Sequence, residues 1–360
     1  MLRPRRTWSA STNRLLPSRA KVRIEHDVSL AAHTTLGVGG PAKRFARVVD
    51  LGELRDAIAA AGDDPILFLG GGSNLVIRDA GFAGLVIQLA IDTLHVQRGV
   101  VIASAGAPWD RFVEEMIGRG YTGLECLSGI PGCVGATPMQ NVGAYGQEVS
   151  DTIAFVRALD RTTGEVVEIA GRDCAFGYRS SRFRGSDRHV ILEVGFALTK
   201  DPRSAPIKYL ELAKALGIGE GERAPLQLVR DTVIRLRRGK GMVVDAADPD
   251  SRSAGSFFTN PVVDDATRQR FEARLDGATY PSWPAGDGLT KLAAGWLIER
   301  AGFTKGYTRG HVGISHKHAL ALVNRGGGTA TELLALAQEI QDGVSERLGV
   351  ALHPEPIIVG

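Results

Sequence analysis

The chain has 360 residues, 44% hydrophobic and 23% charged, a composition that belongs to folded globular proteins of two or three domains and excludes the disordered and collagen-like classes. Its net charge of +3 is uneven: seven basic groups and no acid lie in residues 1–23, so residues 24–360 sum to −4 and offer no broad surface to nucleic acid. No apolar run approaches the ~18 residues that span a bilayer, no apolar core follows Arg5-Arg6 to make an export signal, and three cysteines without ligand spacing read as reduced thiols, so a cytoplasmic protein is expected.

After the basic segment, Lys43–Val49 predicts a strand and Leu51–Gly62 a short helix ending at glycine. Ile66–Leu69 predicts a buried strand that runs into GGGSN, Gly70–Asn74. A Rossmann fold needs a helix after such a loop and a GxGxxG; here LVIRDAGFAGLVIQL gives two β-rich runs broken by Gly81–Gly84, which excludes that fold. Gly99–Ala103 predicts a strand, and DRFVEEMIGRG a helix with Phe112, Val113, Met116 and Ile117 on one face. Glu125–Glu148 then places five glycines and two prolines in 24 residues, a loop too long to be idle in a compact domain.

IAFVRALD, GEVVEI and HVILEVGFAL alternate as strands and enclose CAFGYRSSRF, Cys174–Phe183. IKYLELAKALG and PLQLVRDTVIRLRRGKG predict a short and a longer amphipathic helix, and DAADPDSRSAG a polar, flexible boundary or site loop. From Ser256 to about Gly349 the pattern is that of a separate α+β unit. Its last helix carries Leu333, Leu336, Ala337, Ile340, Val344 and Leu348 on one face, with Thr331 as its cap and Gly349 as its stop. His316 and His318 in SHKH alternate as on a strand and lack the partners of a metal site. The closing VALHPEPIIVG is extended and holds Glu355 on a proline-stiffened segment.

GGGSN presents backbone N–H groups of the kind that cradle a pyrophosphate. HTTLGVGGPA (His33–Ala42) and SGIPGCVGATPMQNVGAYG (Ser128–Gly146) have the same character, and together the three loops imply a large, flat, phosphate-bearing cofactor. Arg179 in GYRSS, Ser256 in AGSFF and Glu355 in HPEP are the polar residues to set around a reacting carbon. The plainer readings are a surface ion pair for Arg179 and a terminal salt bridge for Glu355. Ser256 could attack an acyl group, donate a proton or cap a turn; no GxSxG frames it and no histidine is positioned to take its proton, so a proton donor fits better.

In order along the chain, SGIPGCVGATPMQNVGAYG, CAFGYRSSRF, RRGKGMV, SAGSFFTNP, KLAAGWLIE and HPEP resemble the successive signatures of the UDP-N-acetylenolpyruvoylglucosamine reductase family, across roughly residues 24–360. The resemblance implies an α+β chain: a two-subdomain FAD-binding fold of the vanillyl-alcohol-oxidase type plus a C-terminal α+β substrate-binding domain. The expected division is a disordered basic tail (1–21), a first FAD subdomain (22–88), a second (89–238), a substrate domain (239–348) and a strand returning to the active site (349–360).

Further expectations follow from the same resemblance. FAD and NADPH are the cofactors and UDP-N-acetylglucosamine enolpyruvate is the substrate, handled by a monomer with neither metal, nucleic acid nor membrane as partner. Arg179, Ser256 and Glu355 form the catalytic set. FAD falls to His33, Thr34, Gly70, Gly71, Ser73, Asn74, Gly129, Gly132 and Gly143, and substrate to Tyr209, Lys240 and Asn260. PIKYLELAKAL resembles the loop that marks the family's first subtype, in which a tyrosine closes over the substrate. Two departures are visible, Thr259 where lysine is common and Pro356 where valine is. The alternatives left open are a flavin sugar or alcohol oxidase, a serine acyl-transfer enzyme and a nucleotide-sugar sensor.

Overall fold

The computed structural model describes residues 21–360, so the basic groups at positions 3–19 and the tail expected there lie outside the described residues. The chain divides into two compact units, each assembled from separate stretches. The described part of the first comprises residues 21–26, Arg44–Gly71 and Gly84–Leu236; the second comprises Asp27–Lys43, Gly72–Ala83 and Arg237–Gly360.

The first unit is built on a five-stranded antiparallel sheet in the order Val166–Ala170, Ile153–Asp160, His189–Phe196, Val100–Ser104, Leu94–Gln97. His189–Phe196 is buried at every position but the first, as suits a central strand covered on both faces, and its one buried carboxylate, Glu193, is paired with Arg157 at 2.9 Å. The helix Trp109–Gly118 lays Trp109 and Phe112 against Phe196, with ring centroids 6.0 and 5.0 Å away. Each such ring contributes about 2–3 kcal/mol by burial. Trp109 also reaches past the core, because its indole N–H donates to Leu127 O at 3.0 Å and so ties the helix to the start of the long glycine loop.

A second sheet runs in the order Ile24–Ser29, Pro41–Val48, Phe82–Leu89, Ile66–Leu69. Its last two strands are parallel, Ile66 opposite Leu85 and Leu69 opposite Gln88. Between them the chain passes through the GGGSN loop and the strand Leu75–Ile77, with no helix, which is the feature that set this sequence apart from a Rossmann fold. The helix Leu51–Ala61 follows its expected bounds, with Asp50 accepting from the Glu53 N–H at 2.9 Å as its cap.

The second unit holds two three-stranded sheets and the helices Asp265–Glu272, Ala294–Arg300 and Ala330–Leu348 around one apolar core that includes Phe257, Phe258, Leu297, Leu336 and Ile340. All six apolar positions expected on the last helix are buried. Its cap, however, is Thr329 and not Thr331: Thr329 accepts from the Glu332 N–H, and Glu332 accepts from the Thr329 N–H at 3.0 Å. The T-x-x-E spacing of a capping box was present in the sequence and outweighs the bare presence of a threonine. Thr331 instead donates its hydroxyl to Asp79 at 2.6 Å. We expect Thr329→Ala to lower unfolding stability by about 1 kcal/mol in urea titration, and Thr331→Val to leave this cap intact.

Two further local expectations are overturned. DAADPDSRSAG is not a flexible loop: Asp250, Ser251 and Ser253 are each only 5% exposed. Ser251 accepts from the Asp245 N–H, and Asp250 from the His316 N–H, so short polar side chains satisfy a folded-in backbone. SHKH is not a strand, because the strand Val312–Ile314 ends before it and His316 and Lys317 form a bend, held by the Lys317–Asp248 pair at 2.7 Å. The C-terminal Ile357–Val359 pairs in parallel with Leu75–Ile77, so the tail is extended as expected and Glu355 precedes a sheet strand.

Candidate active site

In the first unit, Gly71 packs directly on Gly132. A Cβ on Gly71 would lie 2.7 Å from Gly132 Cα, so this glycine is required by close backbone approach and not by a turn. The N–H groups of Gly70, Gly71 and Gly132 meet no acceptor among the described residues. These half-buried donors, on backbone bare of side chains, fit the phosphates of a large cofactor. Gly129 differs, because its N–H is committed to Asp110 Oδ1 at 2.6 Å, an oxygen that also accepts from Arg230 at 2.7 Å. It holds the loop and leaves the donating to its neighbours.

In the second unit, a Cβ on Gly72 would lie 1.9 Å from the His33 carbonyl oxygen, and the Thr35 N–H donates to Gly72 O at 3.2 Å. His33 and Thr34 therefore stand beside the segment that continues into Ser73 and Asn74. Thr34 Oγ1 closes its own loop on Val38 O at 2.9 Å, and Asn74 Nδ2 donates to the Glu355 carbonyl at 3.4 Å.

Gly143 opens the short hairpin Gly143–Ala144 and Gln147–Glu148, and its carbonyl accepts from Arg179 Nη2 at 3.1 Å. Arg179 lies in a tight turn in which Gly177 and Ser180 exchange both backbone hydrogen bonds at 3.1 Å. Its φ of 50° is left-handed, which costs a residue with a Cβ about 1–2 kcal/mol. The turn is kept by bonds from outside it: Asn141 Nδ2 donates to Gly177 O at 3.2 Å, Ser181 Oγ to Met139 O at 2.7 Å and Arg184 to Arg179 O at 2.7 Å. Asn141 was not singled out in the sequence. The available signal was an asparagine within a glycine-rich loop, a type that tolerates the left-handed region it occupies at φ 47°.

Ser256 and Glu355 are brought together within the second unit although 98 positions separate Phe257 from Glu355. The Glu355 N–H donates to Phe257 O at 2.9 Å, and Phe258 bridges Pro354 in antiparallel fashion. Phe257 and Phe258 are each 1% exposed and anchor this segment in the core. Ser256 follows Gly255, whose φ of 75° turns the chain, and is half-buried. No partner for its hydroxyl occurs among the described residues.

Of the residues expected at the substrate, Tyr209 flanks the helix Leu210–Leu216, is 44% exposed and meets the Tyr145 ring edge-on at 5.5 Å. Burial of the ring, and then the nearby Glu211, raise its phenol above the usual range and keep it protonated. Lys240 follows the helix Leu226–Gly239, its N–H on Arg237 O at 3.1 Å. Asn260 Oδ1 accepts from the Ala294 N–H at 2.9 Å at the start of the helix Ala294–Arg300, which commits one end of its amide to structure. Thr259, at the departure from the motif, holds its N–H on His353 O at 3.1 Å. Cys133 in the glycine loop stays a thiol, burial pushing it up to about 11.

The second unit also has an open cavity of about 440 Å³ that no motif marked, lined in part by Arg268, Tyr280, Trp283 and Asp287. Among the described residues no helix is long and apolar enough to cross a membrane, and no three His, Cys, Asp or Glu side chains are grouped to hold a metal.

Comparison with known proteins identifies both parts of the chain. Residues 248–359 match the family model for the UDP-N-acetylenolpyruvoylglucosamine reductase C-terminal domain, and residues 42–170 that for an FAD binding domain. The UDP-N-acetylenolpyruvoylglucosamine reductase of Thermobifida fusca (strain YX) is 51% identical over 349 residues, covering 93% of this chain and 97% of its own. That of Salinispora arenicola (strain CNS-205) is 49% identical over 353 residues, covering 95% and 97%. Among solved structures, the UDP-N-acetylenolpyruvylglucosamine reductase from Thermus caldophilus superposes with a TM-score of 0.67 at 27% identity, covering 94% of this chain and 100% of that one.

Proposed function

The chain belongs to the UDP-N-acetylenolpyruvoylglucosamine reductase family, and we infer from this that it is an FAD-containing oxidoreductase of peptidoglycan precursor synthesis. It reduces the enolpyruvyl group of UDP-N-acetylglucosamine enolpyruvate with NADPH and yields UDP-N-acetylmuramate. FAD, when bound, supplies the hydride transfer from NADPH to the methylene carbon of that group. We further propose that the enzyme acts as a monomer in the cytoplasm, with the division stated for the sequence over residues 22–360.

The chain's own residues then have defined tasks in this proposal. Hydride addition at the methylene carbon builds negative charge on the carbon beside the carboxylate, shared into it as an enolate. Arg179 offers that charge a planar fork of N–H donors, one such donor in a dry site being worth about 3 kcal/mol. Glu355 suits the same anion when it is protonated or shares a proton with the carboxylate, since two full negative charges would repel. Ser256 delivers its proton to the carbon as general acid. Tyr209, Lys240 and the free end of the Asn260 amide bind the sugar nucleotide. Gly70, Gly71 and Gly132 give N–H groups to FAD, Gly129 and Gly143 shape the loop around it, and His33, Thr34, Ser73 and Asn74 complete its site.

What supports the role of Arg179 most is its backbone, a left-handed conformation in a non-glycine residue kept by three bonds, a kind of strain that clusters at active sites. The test is optical. Purified protein should carry FAD absorption that NADPH bleaches and the enolpyruvyl sugar nucleotide restores. Protein that stays colourless after incubation with FAD, or that consumes NADPH equally without the sugar nucleotide, refutes the reading. Gly71→Ala should lower the FAD content sharply, because relieving the clash with Gly132 costs about 1–3 kcal/mol of loop strain, while far-ultraviolet circular dichroism stays unchanged.

A further inference from the structure

Glu125 is 0% exposed and takes no part in the proposed mechanism, yet its carboxylate is saturated with donors from three separate segments. From its own turn come the Gly123 N–H, on Oε2 at 2.6 Å, and the Thr122 hydroxyl, on Oε1 at 3.2 Å. From the glycine-loop hairpin comes Gln147 Nε2, on Oε1 at 3.2 Å, while Gln147 Oε1 accepts from the Cys126 N–H at 2.9 Å. From the segment leading to Tyr209 comes the Ala205 N–H, on Oε1 at 2.6 Å.

Each of the two distant partners sits close to a residue of the proposed chemistry. Gln147 pairs with Ala144 in the hairpin that carries Gly143, whose carbonyl holds Arg179, and Tyr145, whose ring meets Tyr209. Ala205 follows Ser204, which is pinned to Ala224 in both directions by the Ser204 N–H on Ala224 O at 2.7 Å and the Ala224 N–H on Ser204 Oγ at 3.1 Å. Ile207 is pinned to Glu222 at 2.9 Å, and past it Lys208 Cβ lies 3.5 Å from the Cβ position of Gly146. The hairpin and the Tyr209 segment thus touch at their tips and are tied at their base by one carboxylate.

We propose that Glu125 is a positioning residue: its bonds to Gln147 and Ala205 set the arginine-holding hairpin and the tyrosine segment in register with each other. The inference rests on the roles proposed above for Arg179 and Tyr209. Glutamine is the informative replacement. Its amide oxygen can keep the three donors on Oε1, while its Nε2, itself a donor, faces the Gly123 N–H, so that this bond and the charge behind all four are lost and both ties to the distant segments are kept.

For FAD-loaded Glu125→Gln we expect reduction by NADPH within about twofold of the parent, and KM for UDP-N-acetylglucosamine enolpyruvate raised about tenfold, the size of one weakened charge-assisted bond. Gln147→Ala, which cuts the tie to the hairpin alone, should raise KM likewise, and decides the matter if Glu125→Gln does not fold. Thr122→Val, which removes a donor of the residue's own turn and neither tie, should keep the parent KM. In a Tyr209→Ala background, Glu125→Gln should add less than about twofold, as coupled residues do. Parent-like KM in Glu125→Gln and Gln147→Ala overturns the proposal, as does equal slowing of both half-reactions or a fully additive double variant. If Tyr209→Ala alone leaves KM unchanged, the substrate role of Tyr209 fails first, and the proposal falls with it for that separate reason.

Discussion

Ser256→Ala is expected to leave the reduction of bound FAD by NADPH intact and to slow its reoxidation by the enolpyruvyl substrate about 10²- to 10⁴-fold, the span that a positioned general acid contributes. The substitution removes one oxygen and little else. Gly255 keeps the chain turn, and Phe257 keeps both backbone bonds, its N–H on Leu320 O at 2.7 Å and its carbonyl under the Glu355 N–H at 2.9 Å. Because the hydroxyl has no partner among the described residues, its loss leaves no buried group unsatisfied and should cost little stability. Stopped-flow absorbance separates the two half-reactions. Equal slowing of both would make Ser256 a structural residue and return the proton to another donor.

Arg179→Lys is the second change with a large expected effect, about 10²- to 10³-fold in the same reoxidation step with little change in flavin reduction. Lysine keeps the charge and loses the fork, and an ammonium cannot hold Gly143 O while presenting two further coplanar donors to a carboxylate. Arg179→Gly separates function from folding. Glycine accepts φ 50° without the Cβ penalty, a gain of about 1–2 kcal/mol set against the lost bond to Gly143 and the lost contact with the Tyr178 ring, so far-ultraviolet circular dichroism should stay that of the parent while turnover disappears. Turnover at the parent rate in Arg179→Lys would remove Arg179 from the catalytic set.

Much of the fold was legible because apolar spacing reports which face of an element is covered. Ile66–Leu69 and Ile153–Asp160 have the expected bounds, and the last helix buries its expected stripe. The misreadings share a cause. Asp245–Gly255 is polar enough to pass for a solvated loop, but its serines and aspartates are bonded inward to backbone, an outcome composition does not report. SHKH has strand-like alternation in four residues, too short a run to tell a strand from the bend that follows one.

The family and its flavin chemistry were available from the linear sequence through the resemblance of six ordered motifs. The residues alone gave three glycine loops for a large phosphate-bearing cofactor and a lone hydroxyl, a guanidinium and a carboxylate to set around a carbon. The tertiary structure alone decided what those residues lean on. Gly71 is glycine because Gly132 crosses it, Ser256 stands beside Glu355 because a strand returns from the end of the chain, and Glu125 ties segments that lie 80 residues apart. Local pattern records period and backbone freedom, whereas a hydrogen-bond partner at long separation is chosen by the packing of the whole unit, which no window of sequence contains.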